Sequence, residues 1–341
     1  MKRIALDIMG GDLGISASLP GLNRYISGND CSDVAFDLFG DESEISRHMA
    51  QFPAVSAHTH TVHNTNSNVI LASEKPAITV KKGRGTSMFE AISHVADGKA
   101  DAVVSSGNTG AFMVLSKFLL GTLEHIDRPA LVSILPNING KVVMLDLGAN
   151  TSCSSTKLVQ FALMGQAVAQ ILLKIPSPRV GLLNIGTERS KGTETLEAAY
   201  TILEQIEHMD FVGFIEGTDI ANGQIDVVVT DGFSGNISLK TMEGTVKYIL
   251  AFLKRGFFAS LPTKIGYLLT RRVFQALKDG IDPRINNGAP LVGLKKIAVK
   301  SHGNSDALGF ENAIAVAVKF VRSNFVSSVE SALARMKEKP E

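Results

Sequence analysis

The stretch DVVVTDGFSGNISLKTMEG, residues 226–244, decides how the chain is read. Val227 to Val229 is a β-branched run of the kind that forms a strand buried on both faces. The run stops at Thr230-Asp231-Gly232, and Ser234, Gly235 and Asn236 follow, small or polar residues that tolerate a tight backbone. A helical pattern begins near Ile237. A strand, a glycine-rich turn and a helix start make an anion site, because unpaired N–H groups at a helix N-terminus point at whatever occupies the turn. On that reading Asp231 and Gly232 shape the turn, Gly235 lets a ligand approach the backbone, and Asn236 donates to an oxygen. Taken alone, the stretch reads first as an ordinary βα turn of a parallel sheet.

The same grammar recurs on both sides of it. Ile4 to Leu6 runs into DIMGGD, residues 7–12, where Asp7 and Asp12 flank Gly10 and Gly11. Residues 100–104 deliver Ser105, Asn108, Thr109 and Gly110. Residues 142–147 deliver Asn150, residues 180–183 deliver NIGT, and residues 297–299 deliver Ser301, His302 and Gly303. Helical patterns at 89–96, 111–120 and 195–205 alternate with these strands. Such alternation predicts an α/β fold with a parallel sheet, whose post-strand loops share one edge and bind ligands there. Loops rich in amides and hydroxyls and poor in acids suit a small oxyanion. Lys191, between a strand-end glycine and Gly192, is placed to reach the same cleft. Cys153 reads as a small buried cysteine rather than a nucleophile.

Composition removes other classes. The chain has 341 residues, 45% hydrophobic and 20% charged, with net charge +1 and no tryptophan, so no nucleic-acid partner is expected. Cys31 and Cys153 are far apart, which argues against a disulfide framework or a zinc site. KKGRGTSM, residues 81–88, has Met88 where a dinucleotide fingerprint needs glycine, and no P-loop is present. His58, His60 and His63 make a histidine-bearing strand; an H-x-H puts two rings on one face, but no acid or cysteine lies close in sequence, and no metal or cofactor is expected. No signal-peptide h-region or uncharged run of membrane-spanning length is evident, so a cytoplasmic protein is expected.

Residues 240–280 differ from the rest. Eight lysines and arginines oppose only Glu243 and Asp279, a local charge of +6 in a chain otherwise at −5. Apolar residues interleave with them, and Pro262 and Gly266 interrupt the pattern. Two amphipathic helices joined by a turn are expected, with Phe257, Phe258 and Leu261 near the tip. A basic amphipathic hairpin fits a membrane surface, an acidic protein partner, or a dimer interface. Residues 311–335 read as helix and the tail from 337 as frayed. No repeat or linker divides the chain, so residues 1–335 read as one two-lobed domain carrying the hairpin.

Eight ordered segments together carry a resemblance: LDIMGGD (6–12), SGNTGA (106–111), DRPAL (127–131), LDLGAN (145–150), LLNIG (182–186) with KG (191–192), TDGFSGN (230–236), NGAPLVGL (287–294) and KSHG (300–303). In order and spacing they resemble the bacterial acyl-[acyl-carrier-protein]:phosphate acyltransferases, the PlsX family. The resemblance implies a three-layer α/β/α sandwich like isocitrate and isopropylmalate dehydrogenases. It implies transfer of a fatty acyl group from acyl-carrier protein to inorganic phosphate, without a cofactor. It also implies a homodimer peripherally attached to the membrane, feeding acyl phosphate to a glycerol-3-phosphate acyltransferase for phosphatidic acid synthesis. In such a reaction Ser105 and Thr109 suit phosphate, and Lys191 and Asn236 suit the tetrahedral oxyanion. Where the family has a V-D-C run this chain has Thr151-Ser152-Cys153, so Ser152 receives no role; Arg189 and Phe89 also depart from the pattern. Two other readings remain at this level: a metal- and NAD-dependent dehydrogenase of the same fold, and a non-catalytic regulator that binds membrane or carrier protein.

Overall fold

A computed structural model describes residues 1–58, 60–65, 76–280, 282 and 284–334. The tail expected to fray lies outside these residues. The strands in chain order are β1 (Lys2–Asp7), β2 (Val34–Gly40), β3 (His60–Asn64), β4 (Ala102–Ser105), β5 (Ala130–Leu131), β6 (Ser133–Asn137), β7 (Gly140–Leu145), β8 (Arg179–Leu183), β9 (Asp210–Ile215), β10 (Val227–Val229), β11 (Ala289–Val292) and β12 (Ile297–Lys300).

They form a largely parallel α/β architecture divided between two sheets. The first has the order β3-β2-β1-β4-β12-β11-β5, and the second β6-β7-β10-β8-β9. Among the described residues the antiparallel strand pairs are β11 with β12, β11 with β5, and β6 with β7. The chain crosses from the first sheet to the second through a single buried residue, Val132, between β5 and β6.

Alternation along each strand explains the layers. Ile4 and Leu6 of β1, Ala102 and Val104 of β4, and Ile297 and Val299 of β12 point into one core cluster. Ala5, Val103 and Ala298 between them point to the opposite side, where helices Ser87–Ala96 and Thr109–Leu120 cover the sheet. In the second sheet Val143, Leu145, Val227 and Val229 join the first cluster, whereas Val142, Met144 and Val228 form a third. One continuous apolar layer thus lies between the sheets, so the strands are apolar on both faces.

The stretch Ser155–Leu173 matches a membrane span in length and hydropathy, yet 61% of it is buried. It is apolar on most sides because it fills the shared layer, with Leu158, Val159, Phe161 and Met164 inside.

Two expectations change. The long C-terminal helix is two helices, Ala307–Arg322 and Phe325–Ala334, because Asn324 takes a left-handed φ of 52°. In the basic segment, helices Gly232–Phe257 and Leu261–Gly280 meet at residues 258–260. Pro262 does not break the second helix, since proline is tolerated in a first turn, and Gly266 lies within it.

Helices Ile15–Gly28 and Ala307–Arg322 cross closely at Gly21, where a Cβ would lie 2.8 Å from the Ala307 carbonyl oxygen and 2.9 Å from Phe310 Cβ. Gly28, in the same helix, has open space around it. Gly21→Ala is therefore expected to lower unfolding free energy by ~1–3 kcal/mol through overpacking. Gly28→Ala should be neutral or stabilising by up to about 1 kcal/mol. Urea denaturation of the two variants checks the opposite signs.

Candidate active site

Two sets of strand-end loops, one from each sheet, carry the residues that the sequence singles out. Each is built on a buried carboxylate. In the first sheet Asp7 ends β1 at 1% exposure and accepts hydrogen bonds from Ser105 Oγ and Ser87 Oγ, each at 2.6 Å. Burial raises its carboxyl above the ordinary value, while the two serines and Lys300 pull it back. Ser105 Oγ also accepts from the Gly107 N–H at 3.0 Å. The glycine spacing follows from this packing. A Cβ on Gly10 would lie 2.4 Å from an Asp7 carboxylate oxygen, and one on Gly107 would lie 2.2 Å from Met88 Cε.

The loops close on one another through the backbone. Asp12 N–H donates to the Gly303 carbonyl at 2.7 Å, and Ser301 N–H to Ser105 at 2.9 Å. Gly11 sits at φ +88°, and a Cβ there would meet Gly303 O and Ser106 Cβ, each at 2.8 Å. Asn287, 4% exposed, ties the last loop: its amide donates to Ser301 Oγ, Ser305 Oγ and the Gly309 carbonyl, and its oxygen accepts from His302 N–H. Lys300 is 5% exposed, and its ammonium donates to the Ser301 carbonyl. Burial lowers it from the ordinary 10.5 to about 8, against the pull of Asp7 and Asp12. Lys300 and Asn287 lie within the motif segments 300–303 and 287–294, and the one signal in the sequence for such a role is a lysine that ends an apolar strand.

In the second sheet the carboxylate is Asp146, fully buried, which follows β7. It accepts from the N–H groups of Leu131 (2.8 Å), Ala149 (3.2 Å) and Asn150 (2.6 Å) and from the Asn150 side chain (2.9 Å). Asn150 also donates to the Pro129 carbonyl at 2.9 Å, so it braces the loop from a buried position. Asp146 was not picked out from sequence.

The turn at 231–236 works differently from the open anion site expected of it. Asp231 caps the helix itself, accepting from Phe233 and Ser234 N–H at 2.9 Å each, so those donors are taken. Gly232 N–H donates to the Asn150 carbonyl at 2.7 Å. Gly235 admits the protein's own backbone, not a ligand: a Cβ there would stand 2.0 Å from the Asp146 carbonyl oxygen. Asn236 is solvent-exposed on the next half-turn, with its amide donating to the Leu147 carbonyl at 3.0 Å.

The residues therefore separate into floor and lip. Asp7, Gly10, Ser105, Ser301, Asn150, Gly232 and Gly235 are buried and bonded within the protein. Asp12, Thr109, Gly110, His302, Lys191 and Asn236 are exposed. Asn108 caps helix Thr109–Leu120 by accepting from Ala111 N–H at 2.9 Å. Desolvation lowers the His302 imidazole although the residue meets solvent; Glu243 opposes that shift and Lys240 and Lys247 add to it. The first-sheet lip thus faces the long helix that begins beside Asn236. Lys191 sits on the 3-10 turn Arg189–Lys191 with its ammonium 2.8 Å from Glu188. That hydrogen bond raises its pKa and keeps it cationic. Lys191 and Asn236 are not hydrogen-bonded to each other.

Cys153 is half-buried, and burial pushes its thiol up to about 11, so it is protonated at neutral pH. His58, His60 and His63 do not converge. His58 bonds the Val34 carbonyl, His60 bonds His58 O, and His63 stacks on Phe39. A cavity of about 350 Å³ beside Arg179 and Asp226 lies at the opposite strand ends and is no part of this cleft.

The sequence matches the fatty acid synthesis protein family over residues 2–328. It is 44% identical over 338 residues to a phosphate acyltransferase of Rhodospirillum rubrum, covering 99% of this chain and 96% of that protein. With the phosphate acyltransferase of Rhodospirillum centenum it shares 46% over 334 residues, 98% and 93% of the two chains. In fold it is similar to a phosphotransacetylase from Streptococcus pyogenes, TM-score 0.61 at 17% identity over 94% of each chain. The EutD phosphotransacetylase from Staphylococcus aureus gives 0.58 at 15%, covering 97% and 94%.

The Lys300 shift has a consequence for stability. Between pH 8 and 10.5 the unfolded lysine holds its proton and the folded one releases it, so this residue makes stability rise with pH across that window. Relative to Lys300→Met, the wild type should gain up to about 3 kcal/mol from pH 8 to 10.5. Chemical denaturation at a series of pH values measures it.

Proposed function

The chain belongs to the phosphate acyltransferase family and transfers acyl groups to phosphate, and from that premise we propose that the donor is a fatty acyl thioester on acyl-carrier protein and the product an acyl phosphate bound for phosphatidic acid. A phosphate oxygen attacks the thioester carbonyl. A carbon–oxygen bond forms, the carbon–sulfur bond breaks, and the carrier leaves as its thiol after taking a proton. Phosphate is already an anionic nucleophile at neutral pH, so the chemistry requires position and oxyanion stabilisation rather than a Ser-His-Asp relay.

The observation that carries this reading is the division of floor from lip. The buried carboxylates and amides are bonded within the protein, which leaves a preorganised surface on which Lys191 and Asn236 are the exposed donors at the ends of β8 and β10. Lys191 supplies positive charge and Asn236 a neutral N–H to the tetrahedral oxyanion. Thr109, Asp12, His302 and Gly303 border the phosphate side. A protonated Cys153 favours direct attack over an acyl-cysteine.

Incubation with acyl-carrier-protein thioester and phosphate, without added metal, should yield acyl phosphate trapped as a hydroxamate by hydroxylamine. Lys191→Ala and Asn236→Ala should each reduce turnover by on the order of 10²-fold. Wild-type rates in either folded variant would remove the residue from the mechanism.

The hairpin is the proposed membrane contact of a cytoplasmic, peripherally bound homodimer. Phe257 packs inside it, against Tyr267 and Phe274 at centroid distances of 5.6 and 4.9 Å. Phe258 and Leu261 at the tip are 52% and 76% exposed, and Ile265, Leu269 and Val273 continue an exposed apolar stripe. With Lys254, Arg255 and Lys264 beside them, these residues suit an anionic bilayer surface, where each cation adds ~1 kcal/mol. Acyl phosphate released there reaches a glycerol-3-phosphate acyltransferase in the membrane. Phe258→Glu with Leu261→Glu should abolish sedimentation with anionic vesicles and spare activity in solution. Unchanged sedimentation would move the contact elsewhere, and conversion to a monomer would assign the stripe to the dimer interface.

A further inference from the structure

On the face of the first sheet that carries Asp7 lies a second polar cluster, which the acyl-transfer chemistry does not use. Asp37 on β2 is fully buried. His63 comes from the neighbouring strand β3, and His94 from the last turn of helix Ser87–Ala96. His94 Nε2 stands 3.3 Å from one Asp37 oxygen and His63 Nε2 3.6 Å from the other. One ligand atom from each of the three lies within 4.8 Å of the others.

These separations have a chemical meaning. A tetrahedral zinc ion with bonds of ~2.0–2.2 Å sets its ligands roughly 3.3–3.6 Å apart; each histidine stands that far from its own Asp37 oxygen, and the three ligand atoms, all within 4.8 Å of one another, would draw together by about an ångström on a shared ion. His63 Nε2 is buried with no hydrogen-bond partner, an arrangement that costs free energy unless something else takes the lone pair. The His63 ring is held in place, stacked on Phe39 at 4.5 Å and packed against His94 at 4.8 Å. Asp37 is oriented by Arg3, whose guanidinium bonds both carboxylate oxygens, as outer-shell donors do for metal-bound carboxylates. Each oxygen retains a lone pair beyond the one given to Arg3.

We propose that Asp37, His63 and His94 form a divalent transition-metal site, with zinc the fitting ion and a water in the fourth position. The charge of Arg3 sets the affinity below that of an all-cysteine structural site. The ion would join β2, β3 and the helix whose other end presents Ser87 to Asp7. This inference does not rest on the acyl-transfer reading, since its ligands lie on the other sheet from Lys191 and Asn236 and its test reads metal rather than turnover.

The test uses the full chain stripped with chelator and titrated with Zn²⁺ by calorimetry and with Co²⁺ by visible absorption. One Zn²⁺ per chain is expected, with the intense d–d bands of four-coordinate Co²⁺. His63→Gln and His94→Gln should each weaken binding by at least ~10-fold and remove those bands. His58→Gln should change neither, because its ring is engaged with the Val34 carbonyl. Near-UV circular dichroism establishes that each variant is folded. Absence of the Co²⁺ bands in wild type, or their persistence in the two variants, overturns the site, and the wild-type titration decides even if a variant fails to fold.

Discussion

The arrangement of the cleft depends on a carboxylate buried without a lysine or arginine bonded to it. Asp146 accepts from Leu131, Ala149 and Asn150 of the backbone and from the Asn150 amide. Leu131 belongs to the first sheet, and Asn150 carries the loop of the second. One side chain therefore ties the point where the chain changes sheets to the loop beneath Asn236. The energetics favour rigidity: an unpaired buried carboxylate is costly, and each N–H bonded to it offsets part of that cost only in one geometry. Gly232 and Gly235 must lack side chains because the Asp146 loop occupies the space a Cβ would need.

Asp7 does for the first sheet what Asp146 does for the second, with a different partner set. Its hydroxyl donors, Ser87 and Ser105, come from a helix and a neighbouring strand, and Lys300 is buried close to it. Both carboxylates are held above their ordinary values by burial. Their work is structural, since neither meets solvent. They keep backbone turns in fixed positions, so that the donors proposed for the oxyanion would act without reorganising, the condition under which electrostatic stabilisation is largest.

The hairpin follows the opposite logic. After Leu239 and Met242 pack against the outer face of the second sheet, the long helix leaves the core, and its apolar residues beyond that point are largely exposed. An exposed apolar stripe of that extent on a cationic element is the feature on which the proposed membrane contact rests. The Phe257, Tyr267 and Phe274 rings that hold the two helices together leave Phe258 and Leu261 outward.

Strand-scale features were legible in the sequence because they depend on local patterns. Apolar runs such as Val227–Val229 and Ile297–Val299 declare strands buried on both faces, and the Gly, Ser and Asn that follow declare turns. The ordered motifs also carried the family. The division into two sheets was not legible, since the one-residue crossing at Val132 looks like any other apolar position. Nor was the sorting of site residues: Asp7 and Asp12 flank the same two glycines, yet one is buried under two serines and the other open to water. Sequence also aligned His58, His60 and His63 by spacing, whereas β2 pairing and helix packing bring His63 to Asp37 and His94 instead. Periodicity and turn chemistry are properties of neighbours along the chain. Burial, hydrogen-bond partners and convergence belong to residues far apart along the chain, 98 positions for Asp7 and Ser105 and 287 for Arg24 and Glu311, and only the packed fold decides them.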